Sequence, residues 1–148
     1  ALMSPDAQET LMTELLPLAD IITPNIPEAE CLVGFEIKTT EDMVKAAEII
    51  GENLKGSVLI KGGHLTETAD DLLYSGGELN WYRGERVDNP NTHGTGCTLS
   101  SAIASNLALG YDMKTSVKNA KDYITGALKA GLDLGKGSGP LNHGYRIK

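Results

Sequence analysis

Ala19-Asp20-Ile21-Ile22-Thr23-Pro24-Asn25-Ile26-Pro27-Glu28 decides the fold of this 148-residue chain. Its first half is short, apolar and β-branched, which predicts a strand over 19–23, and Pro24 stops it. Thr23 to Pro27 follows as a loop, and Glu28 to Val33 as a short helix closed by Gly34. Thr39-Thr40-Glu41-Asp42 then carries the hydroxyl-x-x-acid signal of a helix start. Behind it Met43, Ala46, Ala47, Ile50 and Leu54 fall on one face, with Gly56 as the stop. Ser57-Val58-Leu59-Ile60-Lys61 reads as a second strand, and Lys61-Gly62-Gly63-His64 lies at its end. Strand, helices and strand in that order predict a parallel crossover, and with it an α/β fold.

The flanks extend this unit. Ser4-Pro5-Asp6 is a helix start, with a hydroxyl cap, proline in the first turn and an acid beside it. Ala7, Leu11 and Leu15 keep helical spacing up to Pro17, where the helix is expected to end. After the second strand, Asp71 to Tyr74 and Glu78 to Tyr82 flank Ser75-Gly76-Gly77 and predict a β-hairpin. A helix of small residues follows Cys97, carrying Leu99, Ala102, Ile103, Ala104 and Leu107 as far as Gly110. A last helix places Val117, Ala120, Ile124, Ala127, Leu128 and Gly131 on one stripe, and a glycine-rich tail runs from Gly135 to Gly144. No repeat or low-complexity linker divides residues 1–148, so one domain is expected.

Composition narrows the function. Thirteen Lys+Arg against twenty Asp+Glu give a net charge of −7, without the basic clusters that phosphate neutralisation on nucleic acid needs. Apolar residues make up 41% of the chain, enough for a core, yet no apolar run approaches the ~20 residues of a membrane helix. No basic segment followed by an apolar stretch marks a secretory signal. Two cysteines, Cys31 and Cys97, form neither a disulfide framework nor a zinc signature, and fit a reducing cytoplasm. Seventeen glycines exceed the usual ~7%, and they cluster in loops.

Those clusters carry the candidate chemistry. Thr92-His93-Gly94-Thr95-Gly96-Cys97-Thr98 sets two glycines around Thr95 just before a helix. Backbone N–H groups can converge there, and the helix terminus adds about half a positive charge. Such a site suits a phosphate or charge developing in a transition state. It is neither a Walker loop, which needs a lysine, nor G-x-G-x-x-G, because Leu99 occupies the third glycine's place. A plain glycine turn into a packed helix explains the same residues. Cys97, in the helix's first turn, is placed to act as thiolate base or nucleophile; the alternative is a small buried hydrophobe, which is also the expectation for Cys31. Asn25 and Glu28 lie at the carboxyl edge of the first strand, where α/β sheets bind ligands, and their oxygens suit Mg²⁺. A helix cap with an acid in its first turn explains them equally well. Lys61, before two glycines, could reach a phosphate from the same edge or be a solvated strand-end lysine. His64, His93 and His143 lack metal-ligand spacing and have contact roles at most. Trp81 and Tyr82 read as hairpin packing.

Thr23-Pro24-Asn25-Ile26-Pro27-Glu28-Ala29-Glu30, Val58-Leu59-Ile60-Lys61-Gly62-Gly63-His64 and Asn91-Thr92-His93-Gly94-Thr95-Gly96-Cys97-Thr98-Leu99-Ser100 occur in this order. With the tail Gly137-Ser138-Gly139-Pro140-Leu141-Asn142-His143, they resemble the hydroxymethylpyrimidine/phosphomethylpyrimidine kinases of thiamine biosynthesis, in the ribokinase-like superfamily. The resemblance implies a three-layer α/β sandwich with a mainly parallel sheet. Residues 1–148 would form the C-terminal part of its single kinase domain, plus a β-hairpin. It implies cytoplasmic, ATP- and Mg²⁺-dependent phosphorylation of 4-amino-5-hydroxymethyl-2-methylpyrimidine and then of its monophosphate, by an enzyme that is a homodimer at full length.

By the same resemblance, Gly94, Thr95 and Gly96 build the anion hole, and Cys97 replaces the aspartate base of most ribokinase relatives. Asn25 and Glu28 match the N-x-x-E motif that organises Mg²⁺ and phosphates, and Lys61 and Gly63 belong to the nucleotide phosphate side. The family's N-terminal half, which supplies most of the pyrimidine pocket, is absent from these residues. Two alternatives therefore stand: a pyridoxal/pyridoxine kinase with a similar glycine-cysteine loop, and a non-catalytic nucleotide-binding or assembly fragment.

Overall fold

A computed structural model describes residues 4–63, 70–84, 94–132, 134 and 139–147. Two compact units, Ala1–Gly84 and Glu85–Lys148, divide the chain. The first is a mixed α/β unit and the second, among the described residues, is helical.

In the first unit, helix α1 (Pro5–Thr10) starts where predicted: the Ser4 hydroxyl accepts the Ala7 N–H at 3.4 Å. It does not run regularly to Pro17. A wider helical turn at Leu11–Leu15 and a tight 3₁₀ turn at Leu16–Leu18 replace it, with Pro17 inside the latter. Strand β1 is only Ile21–Ile22. Helix α2 (Ile26–Val33) begins two residues earlier than expected, because Asn25 caps it and Pro27 falls in its first turn, where no N–H partner is required. Helix α3 (Thr40–Glu52) is fastened by a capping box: Asp42 N–H donates to the Thr39 hydroxyl at 3.1 Å, and Thr39 N–H donates to the Asp42 carboxylate at 3.0 Å. It ends at Asn53 rather than Gly56, so Leu54 packs from the following turn and not from the helix.

Strand β2 (Ser57–Ile60) pairs in parallel with β1, Ile21 opposite Ser57 and Ile22 opposite Val58, which is the expected crossover. Strands β3 (Asp71–Ser75) and β4 (Glu78–Tyr82) form the predicted hairpin around Gly76-Gly77, with Ser75 opposite Glu78. The hairpin joins the sheet by antiparallel pairing of β3 with β2, giving the order β1-β2-β3-β4. The described sheet is thus mixed, one parallel pair followed by two antiparallel ones.

Met43, Ala46, Ala47 and Ile50 turn the apolar face of α3 onto Val58, Ile60 and Leu72, with Ile26, Ala29 and Ile37 completing the core. All four residues of β2 are buried, as a strand covered on both faces requires. Met43 is fully buried, and truncating it to alanine is expected to cost ~2–5 kcal/mol.

The second unit pairs helix α4 (Thr95–Ala108) with helix α5 (Met113–Lys129). Leu99 and Ile103 from α4 and Val117, Ala120 and Ala127 from α5 are buried, joined by Leu141 of the tail. Asp112 caps α5, accepting the Thr115 N–H at 2.9 Å and its hydroxyl at 2.7 Å. One polar pair ties the helices: Asn119 Nδ2 donates to Asn106 Oδ1 at 2.8 Å. No described helix is long and apolar enough to cross a membrane.

Candidate active site

The first unit holds the strand-edge residues. Asn25 and Glu28 complete a capping box: Asn25 N–H donates to Glu28 Oε2 and Glu28 N–H donates to Asn25 Oδ1, both at 2.8 Å. The sequence left open whether these two cap a helix or serve a ligand; the cap is present. It uses one oxygen of each side chain, and no described group donates to Glu28 Oε1. Asn25 is half-buried and Glu28 exposed, on the lip of a groove of about 640 Å³ walled by Leu11, Met12, Ile22 and Leu32.

Lys61 lies beside them. It forms a parallel ladder bridge with Asn25, and its N–H donates to Pro24 O at 2.9 Å. Pairing of β1 with β2 therefore brings the carboxyl ends of both strands, and the residues predicted on them, to one edge. Gly63 is exposed just beyond. No cluster of three or more His, Cys, Asp or Glu forms a metal cage among the described residues. The donor set here, one free carboxylate oxygen and an amide, fits Mg²⁺ held largely through water and phosphate oxygens.

Cys31, on α2, corrects the sequence expectation: it is exposed, not buried. An eight-residue helix makes about two turns, too few for its apolar positions to fix a phase.

The second unit holds the glycine loop. Gly94 caps α4 at φ +84°, a left-handed conformation that costs an L-residue with a side chain ~1–2 kcal/mol. Its carbonyl accepts both the N–H and the hydroxyl of Thr98, at 2.9 and 2.8 Å. Gly94 has no side chain to cover the helix end, so the first turn (Thr95, Gly96 and Cys97) presents its backbone at the positive pole. Cys97 is exposed rather than packed as a small hydrophobe. Ser100, one turn on, folds its hydroxyl back onto the carbonyls of Gly96 and Cys97, at 3.2 and 3.1 Å.

From Cys97 a groove of about 840 Å³ runs along Ser101 and Ser105 and past Tyr123 to His143 and Arg146. Tyr123 donates to His143 O at 3.1 Å and stacks on the imidazole with centroids 6.3 Å apart. The Arg146 guanidinium lies over the Tyr123 and Tyr145 rings at 5.6 and 5.3 Å, and its Nε donates to the Tyr145 hydroxyl at 2.9 Å. His143 thus has the contact role expected of it. Tyr123 and Arg146 were not anticipated, since no spacing motif connects α5 with the tail. His64, His93, Asn91 and Thr92 lie outside the described residues.

Comparison with known proteins gives the family. Residues 1–142 match the family model of phosphomethylpyrimidine kinase. A hydroxymethylpyrimidine/phosphomethylpyrimidine kinase of Streptomyces coelicolor is 45% identical over 147 residues, covering 99% of this chain and 55% of that protein. The chain spans about half the length of the curated relatives it matches. Among solved structures, an ADP complex of Bacillus subtilis pyridoxal kinase superposes with a TM-score of 0.89 at 40% identity, covering 99% of this chain and 58% of that one. The phosphomethylpyrimidine kinase of Clostridium difficile gives 0.72 at 44% identity, covering 84% and 49%. Both solved structures and the sequence motifs agree on a ribokinase-like α/β fold, and the chain belongs to the phosphomethylpyrimidine kinase family.

Proposed function

We propose that this chain is the C-terminal part of a kinase domain, the part that handles the phosphoryl group. The domain transfers the γ-phosphoryl of ATP to the hydroxymethyl group of 4-amino-5-hydroxymethyl-2-methylpyrimidine, and then phosphorylates the monophosphate. The observation that carries this reading is the left-handed Gly94 cap with Cys97 exposed in the first turn of α4. Phosphoryl transfer asks mainly for positioning and charge stabilisation, plus one group to take the alcohol proton. The Gly94-Thr95-Gly96 backbone supplies the anion hole, and Cys97 accepts the proton. Lys61 and Gly63 serve the nucleotide phosphates. Asn25 and Glu28 hold Mg²⁺ through water, and the ion supplies charge neutralisation on the phosphate oxygens when bound.

The protein works in the cytoplasm, as a homodimer at full length. Replacing Cys97 with alanine in the full-length protein is expected to lower turnover by at least ~10²-fold with thermal stability unchanged, as removal of a general base does. Near-normal turnover sinks the assignment.

One specific observation favours a second reading. The Bacillus subtilis pyridoxal kinase superposes over 99% of this chain with a TM-score of 0.89 at 40% identity, which supports it beside the first reading without outweighing it. Pyridoxal is a hydroxymethylpyridine and presents the same kind of primary alcohol. Turnover of both alcohols, side by side, separates the readings. A third reading, a non-catalytic nucleotide-binding fragment, is rejected by any pyrimidine kinase activity from the 148 residues alone.

A further inference from the structure

Asp71 is a buried acid that the chemistry above does not use. It opens β3, is 8% exposed, and its Oδ1 accepts the Gly62 N–H at 3.0 Å. The register explains the contact. Ile60 pairs with Leu72, so continuation of the antiparallel ladder would set Lys61 opposite Asp71. The chain instead turns at Gly62, and the Asp71 carboxylate takes the N–H that the next rung would have used. The turn has no slack: a Cβ on Gly62 would stand 1.9 Å from the Asp70 carbonyl oxygen. On its other side Lys61 is held by its bridge to Asn25 and by the Pro24 carbonyl.

We propose that Asp71 is a positioning residue for nucleotide binding: its carboxylate fixes the Lys61-Gly62-Gly63 corner so that Lys61 meets the nucleotide phosphates from a preset backbone. The proposal rests on the assignment of Lys61 to the nucleotide. A buried carboxylate is well suited to this task, because it accepts a backbone N–H directionally and out of competition with water. It acts on the loop through its backbone and touches no phosphate itself.

The test uses MgADP as the probe, with the full-length protein, in titration calorimetry. Lys61→Ala is measured first. Loss of affinity there supports the nucleotide role, and unchanged affinity overturns that role and this proposal together. With Lys61 supported, Asp71→Ala is expected to weaken MgADP by about tenfold, as loss of a buried charge-assisted hydrogen bond would. Asp71→Asn, which keeps an oxygen acceptor for Gly62, recovers most of the affinity. Turnover at saturating ATP changes by less than about threefold while KM for ATP rises, a split that a generally loosened fold does not produce. A folded Asp71→Ala protein with wild-type affinity overturns the proposal. If that variant fails to fold, Asp71→Glu displaces the carboxylate by one methylene; it is expected to weaken MgADP likewise, and unchanged affinity overturns the proposal.

Discussion

Asn25 and Glu28 form a helix cap and are proposed to serve Mg²⁺ as well, and the two roles are separable by substitution. The capping box takes Oδ1 of Asn25 and Oε2 of Glu28, and leaves Glu28 Oε1 outside it. Asn25→Ala removes the acceptor for the Glu28 N–H and is expected to cost ~1 kcal/mol, read as a lowered denaturation midpoint. Glu28→Gln keeps an oxygen for the Asn25 N–H and removes the charge. It should leave stability within ~0.5 kcal/mol yet raise the Mg²⁺ concentration needed for half-maximal turnover by at least ~10-fold. Full Mg²⁺ response in Glu28→Gln would leave the cap as its entire role. These residues were legible in the sequence because N-x-x-E is at once a capping pattern and a ligand pattern. Asp71 was not legible, because an acid at the start of an apolar strand has no periodic partner. Its meaning depends on which turn packs over it.

At the scale of elements, helix starts were legible and helix ends less so. Starts are written in side chains: Ser4, Asn25 and Thr39, each readable as a cap, accept a backbone N–H three residues on, while the Asp112 cap of α5 was not anticipated. Ends depend on packing. Leu11 and Leu15 kept the helical spacing of α1, but the chain widens there and then tightens around Pro17 before entering β1. The caps also make stability depend on pH. The Thr115 N–H, with help from its hydroxyl, holds the Asp112 carboxyl below its ordinary value of 3.8. The Lys38 and Thr39 N–H groups do the same for Asp42. Both carboxyls have a folded pKa depressed below the unfolded one. Their stabilisation is therefore complete above the ordinary carboxylate range, and is lost as pH falls through that range and the depressed values beneath it. The thermal midpoint should fall on acidification below about pH 4. Asp112→Asn, which keeps an acceptor but cannot ionise, should flatten that fall. An unaltered acid limb in this variant would show that Asp112 does not contribute to it.

For the whole molecule, sequence order carried the parallel β1–β2 crossover and the hairpin, but not the seat of the hairpin against β2. The apolar run Leu72-Leu73-Tyr74 specifies that β3 is largely buried; it does not name the strand it pairs with. Substrate choice is less legible still, for a chemical reason. In the proposed reading, the anion hole, the proton acceptor and the lysine all address the phosphoryl group and the alcohol oxygen, which hydroxymethylpyrimidine and pyridoxal have in common. Ring recognition needs hydrogen bonds matched to the ring's own nitrogens and substituents, where a missing partner costs orders of magnitude. No residue named above has that task. Cys97→Ala and Lys61→Ala should therefore lower kcat/KM for the two alcohols in parallel, leaving their ratio within about threefold of wild type. Side-by-side kcat/KM measurements on full-length variants would check this. A ratio that swings by more than about tenfold in either variant would place ring-discriminating contacts on this chain. An unmoved ratio would mean that these residues drive transfer without choosing its acceptor.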